Sequence, residues 1–324
     1  MVIRLIITAC LFFPVAGFSQ HPPSLVKQLD SLYKIAHSAG HQVNDIHRSA
    51  YNSNTRINPH VYFILLGSDL KQELTAPFHF TKKDWLITSG VALLTASMTF
   101  ADKPIQQYAV KLENKNKIVS DLSRSFTRFG IPYQASALGA YGVYGFILKK
   151  EKAKTTALLV SQAYIAGGAL EILFKFLTHR DRPFDVDSIS RKPEPTFHGP
   201  FYTFGKDNQG KRLTSSFPSG HATVAFAAAT VFAMEYKDRP LVPVIAYSAA
   251  TLISLSRVTE NRHWATDILT GAVLGYLTGR KVVNNYHRYA KLKELQEQEK
   301  KNTISFNLQY NNGQLMPGLI YIFR

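Results

Sequence analysis

The stretch SSFPSGHATVAFAAAT, residues 215–230, carries the reading of the fold. From Ala222 onward it is small, apolar and uncharged, the composition of a helix that is buried on all sides and therefore packed among other helices. Ahead of it stand Pro218, Ser219, Gly220 and His221. Pro218 fixes the approach, Ser219 is suited to cap the helix, and Gly220 lets backbone N–H groups come close to a ligand, so with the helix dipole this start is a candidate anion site. Taken alone, an ordinary capped helix start with a surface histidine explains the same residues.

Working outward, apolar helix candidates cover 85–101, 132–148, 156–177, 221–235, 241–255 and 265–279, which predicts an all-α bundle of six helices. KKEKAKT and EYKDRP make short charged connections. Residues 178–217 form a long excursion rich in Pro, Gly and aromatic residues, the kind of loop that more often serves a site than a simple link. The preceding segment, 21–80, is a polar extension with helix-like SLVKQLDSLYKIAH. After residue 280 comes a charged helix, KLKELQEQEKK. The tail TISFNLQYNNGQLMPGLIYIFR alternates apolar and polar residues around Asn312 and Gly313, a β-hairpin pattern. The expected organisation is a signal peptide at 1–20, an extension at 21–80, a helical core at 81–285 and a tail at 286–324.

MVIRLIITACLFFPVAGFSQ joins a basic start to an apolar stretch and small polar residues, as a secretory signal does. The sole cysteine, Cys10, lies inside it, so the mature chain has no thiol chemistry, disulfide or cysteine metal site. A formal charge of +16 suits nucleic acid, anionic lipid or phosphorylated substrates, and export favours the last two. There is no Gly-rich nucleotide phosphate loop.

Three polar clusters interrupt the apolar frame. KFLTHRDRP places Lys175 at a helix end and Arg182 seven residues later beside Pro183; alone, such a basic run is more often a solvated helix end. FPSGH is the helix start described above. SRVTENRHWATD ends one helix at Arg257 and starts the next with His263 and Asp267, four apart and so on one helical face, where the carboxylate is able to hold the imidazole ring. Such a pair also serves as a structural hydrogen bond or half a metal site.

Together the three, K-x6-R-P, P-S-G-H and S-R-x5-H-x3-D in this order, resemble the signature of the type 2 phosphatidic acid phosphatase (PAP2) superfamily, which includes acid phosphatases, lipid phosphatases and vanadium haloperoxidases. The resemblance covers roughly 80–285. It implies a PAP2-type bundle in which His263 is the nucleophile that forms a phosphohistidine, Asp267 orients it, and His221 is the general acid and later the base. Lys175, Arg182, Ser219, Gly220 and Arg257 would bind the phosphate. Charge developing on equatorial oxygens needs several fixed cations and donors, which this set supplies without a metal. His179 and Arg180 occupy variable spacer positions and read as loop residues. His198 is similar, and His287 reads as a solvated surface residue. The aromatics of FHGPFYTFG either line an apolar pocket or keep the loop compact.

The expected function is hydrolysis of a phosphomonoester or pyrophosphate, of a lipid in the leading reading. The alternatives are a soluble exported acid phosphatase of broad specificity, or a vanadate-dependent haloperoxidase with His263 on vanadate. No cofactor is expected otherwise, and no nucleic-acid partner; oligomeric state is open. The placement expected is the inner membrane with the site facing the periplasm, against a soluble periplasmic or outer-membrane-associated protein. The lysines of KKEKAKT belong in the cytoplasm by the positive-inside rule, and this agrees with a cleaved leader only if one element, here 85–101, does not cross.

Overall fold

The computed structural model describes residues 29, 48–128, 131–184, 194–203, 205, 214–301, 304–311 and 314–321. Among them are eight α-helices: α1 Pro59–Thr75, α2 Lys82–Lys115, α3 Lys117–Arg128, α4 Ile131–Ile147, α5 Glu151–Thr178, α6 Gly220–Glu235, α7 Leu241–Thr259 and α8 Ala265–Lys301. Two strands, β1 Ile304–Asn311 and β2 Gln314–Tyr321, follow and pair antiparallel from Ile304 opposite Tyr321 to Asn311 opposite Gln314. The leader expected at 1–20 and most of SLVKQLDSLYKIAH lie outside the described residues.

All six apolar segments are helical, so six is a correction of number and not of class. The two further helices, α1 and α3, escape a search for apolar runs because they are mixed in composition. In α3, Ile118, Val119, Leu122 and Phe126 recur at one-sided spacing among polar residues. α1 starts where the Asn58 side chain accepts from the Val61 N–H at 2.9 Å and Pro59 supplies the first turn. It buries Val61, Leu65 and Leu66 together with Asp69, Gln72 and Glu73. This polar face is tied to α8 by Asn285 Nδ2 donating to Asp69 Oδ1 at 2.9 Å and Lys281 Nζ donating to the Gln72 carbonyl at 3.0 Å. Part of the polar extension is thus inside the molecule.

The core joins Leu65 of α1, Leu159, Val160 and Ala163 of α5, Ala227 and Val231 of α6, and Val282, Val283 and Tyr286 of α8. The charged helix expected after residue 280 is the continuation of α8, which runs unbroken for 37 residues. His287 is accordingly not a solvated residue. Its side chain is nearly buried, with Nε2 2.9 Å from Glu235 Oε1, and Glu235 also accepts from the Tyr51 hydroxyl at 2.6 Å.

α6 packs on α8 backbone to backbone. A Cβ at Gly271 would stand 2.6 Å from the Ser219 carbonyl oxygen, at Gly275 2.2 Å from that of Thr223, and at Gly279 2.6 Å from that of Ala227. Glycines spaced by four therefore let the α6 backbone lie against α8 over two turns, and this brings the start of α6 beside the start of α8. Replacing Gly275 by Val is expected to force the helices apart and lower the thermal unfolding midpoint in detergent, at a cost of about 1–3 kcal/mol or more. Gly90→Ala, where a Cβ meets nothing within 4 Å, is expected to be neutral or slightly stabilising; equal behaviour of the two would contradict this packing.

Candidate active site

The ends of α5 and α7 and the starts of α6 and α8 meet at one end of the bundle. α5 ends at Thr178, and His179 follows in a left-handed conformation (φ 39°) with its N–H bonded to the Lys175 carbonyl, which turns the chain back over the bundle end. Ser219 caps α6 as expected, its side chain accepting from the Ala222 N–H and its own N–H donating to the Asp267 carbonyl at 3.0 Å. Trp264 precedes α8, and its N–H donates to Asp267 Oδ2 at 2.9 Å, so Asp267 closes the first turn of its own helix.

His263 lies in the turn between α7 and α8 and is nearly buried. Its Nδ1 stands 2.9 Å from the Ser216 carbonyl oxygen and 3.4 Å from Asp267 Oδ2. A carbonyl only accepts, so Nδ1 carries the hydrogen and Nε2 keeps its lone pair, the state a nucleophile needs. Asp267 is thus the second and longer partner of the ring, and the loop carbonyl of Ser216 is the nearer one. Burial pushes His263 down to about 4 against the opposing pull of the Asp267 bond, so the ring is neutral at pH 7.

The expected phosphate ligands are gathered here. Arg182 is held by three carbonyl oxygens, with Nε on Thr214 at 3.0 Å, Nη1 on Arg262 at 3.2 Å and Nη2 on Ser215 at 3.2 Å. Arg257 bonds through Nη1 to Glu260 Oε2 at 3.2 Å and Thr127 Oγ1 at 3.3 Å. His221, in the first turn of α6, is pushed down to about 3 by burial first and then by Arg257, His263, Lys175 and Arg182, which means that these five groups share one electrostatic environment. A phosphoester dianion would offset that positive field and return proton affinity to His221, as a general acid requires.

Two residues not assigned to the site from the sequence shape it. Arg180, expected to be a loop spacer, is fully buried and donates through Nη1 to Asp267 Oδ1 at 2.5 Å and through Nη2 to Asp102 Oδ2 at 2.5 Å. Phe197 packs on its guanidinium at 4.5 Å, so one ring of the FHGPFYTFG segment serves packing. Tyr202 also packs within the loop, stacked on His198, which in turn pairs with Asp181 at 2.9 Å, whereas Phe201 is 95% exposed. Glu171 is the second. It pairs with Lys175 one turn later, and a Cβ on Gly220 would stand 2.7 Å from its Oε1. A carboxylate of the chain itself therefore lies against the amide end of α6, where Gly220 leaves room for it. The spacing of Glu171 and Lys175 by four was the readable signal.

Residues 156–290, which carry all three motifs, match the family described as the PAP2 superfamily. Among known proteins, the chain is 44% identical over 79 residues to a lipid A 1-phosphatase of Porphyromonas gingivalis, a match covering 24% of this chain and 18% of that relative. The chain thus spans about a fifth of that relative's length in the matched part. Of solved structures, it resembles the transmembrane PAP2-type phosphatidylglycerolphosphate phosphatase from Bacillus subtilis (19% identity, TM-score 0.41, covering 66% of this chain and 96% of that one). It also resembles LpxE of Aquifex aeolicus (21% identity, TM-score 0.38, covering 55% and 93%).

In this site Glu171 holds Lys175 and presents like charge to any bound phosphate. Glu171→Gln is expected to tighten inhibition by inorganic phosphate or vanadate by about tenfold, ~1.4 kcal/mol. Inhibition constants measured on the purified protein check this, and unchanged or weaker inhibition would count against the competition.

Proposed function

We propose that the protein is a metal-independent phosphatase that removes a phosphate from a lipid phosphomonoester or pyrophosphate through a phosphohistidine. The observation that carries this reading is the tautomer of His263: a buried, neutral imidazole with Nδ1 on the Ser216 carbonyl and Nε2 left to attack, beside Lys175, Arg182, Arg257 and His221. The three cations and the amide end of α6 would bind the equatorial oxygens. Nε2 of His263 attacks phosphorus as the ester bond breaks, and His221 gives its proton to the leaving alkoxide. Water then attacks the phosphohistidine, His221 takes its proton, and phosphate leaves with His263 neutral again.

The lipid substrate is supported by the outer surface of the bundle. α2, α5 and α7 are long and apolar enough to cross a membrane, and their apolar windows are 0%, 33% and 33% buried inside the molecule. Trp85, Leu86, Leu93 and Leu94 of α2, Ile172 and Phe176 of α5, and Val244 and Ile245 of α7 all face outward, more apolar surface than a soluble monomer leaves in water. A glycosyl phosphate such as the 1-phosphate of lipid A is the first substrate to try, given the relative's name.

Purified protein is expected to release phosphate from such lipids in the presence of a chelator and to be blocked by vanadate. His263→Ala is expected to abolish turnover, whereas His221→Ala should still be labelled by esters with good leaving groups. Metal-dependent turnover, or rapid-quench label on a residue other than His263, would overturn the mechanism.

For placement we favour a site on the periplasmic side of the inner membrane. Lys149, Lys150, Lys152 and Lys154 surround the α4–α5 turn, about 36 Å along α5 from Lys175, and the positive-inside rule assigns that end to the cytoplasm. The expectation that 85–101 stays out of the membrane loses its ground, since this segment belongs to a 34-residue helix that qualifies as a span. A cleaved leader and a crossing α2 then conflict for this orientation. In intact cells of a Cys10→Ser background, Lys150→Cys is expected to be protected from an impermeant thiol reagent and Phe201→Cys to be labelled. Lys82→Cys reads α2 directly: protection means that it crosses, and labelling that it does not. Protection at residue 201 with labelling at 150 would reverse the orientation.

A further inference from the structure

α2 is inverted relative to an ordinary surface helix. Among its described residues those that are buried are Asp102 and Gln106, four apart on one face, while its large apolar side chains point outward. A charged side chain on an apolar, membrane-length helix is costly to bury, and it is retained where it is paired toward the bundle. Both polar residues grip the turn that carries His263. Gln106 Nε2 donates to Asn261 Oδ1, two residues before it, and Asn261 is in a left-handed conformation. Asp102 Oδ1 accepts from the Thr266 N–H at 2.9 Å, three residues after it.

The remaining valences of Asp102 run to Arg180. Asp102 Oδ2 accepts from Arg180 Nη2 and from the Thr266 hydroxyl, both at 2.5 Å, and that hydroxyl accepts from Arg180 Nη1 at 2.7 Å. Every group facing Asp102 donates, so it is an ionised carboxylate. The buried set Asp102, Arg180 and Asp267 thus carries two negative charges and one positive one, with all three side chains fully buried. Arg180 is also clasped by the returning loop: its N–H donates to Ser215 Oγ at 3.0 Å, and its carbonyl accepts from the Ser216 N–H at 2.8 Å. Ser216 is the residue whose carbonyl fixes the His263 tautomer.

Resting on the phosphatase reading, we propose that Asp102 and Arg180 are positioning residues of the reaction: together they hold both partners of His263, Asp267 and Ser216, and set its proton affinity through the net charge of the buried set. The other charged or titratable groups facing His263 are Lys175 at the end of α5, Arg182 in the returning loop, His221 on α6 and Arg257 on α7.

The signs follow from charge. Asp102→Asn takes the set from −1 to 0, weakens the conjugate acid of His263 and moves its titration to lower pH. Arg180→Gln takes it to −2 and moves it to higher pH. Arg180→Lys keeps the charge and loses the fork of bonds. Two readouts apply: the acid limb of kcat/KM, which requires neutral His263 and so falls as pH drops through its titration, and the 15N-histidine resonances of His263 in detergent, which need no turnover. Expected are opposite displacements of about one pH unit for Asp102→Asn and Arg180→Gln, a limb restored by Arg180→Lys, and reduced kcat with KM held, since neither residue reaches substrate. If Arg180→Gln does not fold, Asp102→Asn and Arg180→Lys, which preserve shape, still decide the sign. Titrations that stay fixed, or move in the same direction, would overturn the proposal. Absence of wild-type turnover with opposite displacements would instead sink the phosphatase reading and leave the charge coupling standing.

Discussion

A guanidinium without water must be matched by carboxylates, and the end of this bundle is arranged around that demand. Arg180 is fully buried, and an unpaired charge there would cost several kcal/mol. Its match comes from two helices far apart in sequence, Asp102 on α2 and Asp267 on α8. Satisfying one cation therefore fixes α2 against the start of α8 and anchors the loop that returns from α5 to α6. The nucleophile candidate His263 hangs between these fixed points, bonded to a carbonyl of that loop and facing a carboxylate of that pair.

The second constraint is steric. Gly271, Gly275 and Gly279 present bare backbone to α6, and without them the capped start of α6 would stand away from Asp267. The Ser219 N–H to Asp267 carbonyl bond at 3.0 Å records how closely the two helix starts meet. Electrostatics and packing thus converge on the same small volume. The amide end of α6, three cations and a neutral imidazole share it because the helices that carry them cannot sit elsewhere without losing a buried ion pair or a backbone contact.

Outside the bundle the logic changes. α2, α5 and α7 turn apolar residues outward, and the polar contacts that hold α2 are directed inward, as expected where the surroundings are hydrocarbon and burial of apolar surface gives no drive to assembly. The polar N-terminal segment contributes α1, whose Asp69 and Gln72 bond to α8 and whose Leu65 enters the main core.

The sequence by itself determined the helical class and located each residue of the three motifs, because helix capping, the four-residue spacing of His263 and Asp267, and the small apolar run after His221 are local properties of the chain. It also named the cations, since charge type is written in composition. It could not weigh Arg180, Asp102, Glu171 or His287. A charged residue in a loop or on an apolar helix looks the same whether solvated or buried, and only the partners brought from distant segments distinguish the two. Mixed helices such as α1 and α3 were illegible for a related reason: their apolar stripes acquire meaning from the surface against which they pack. The tertiary structure decided these points because pairing a buried charge is a long-range event, set by which helices lie side by side.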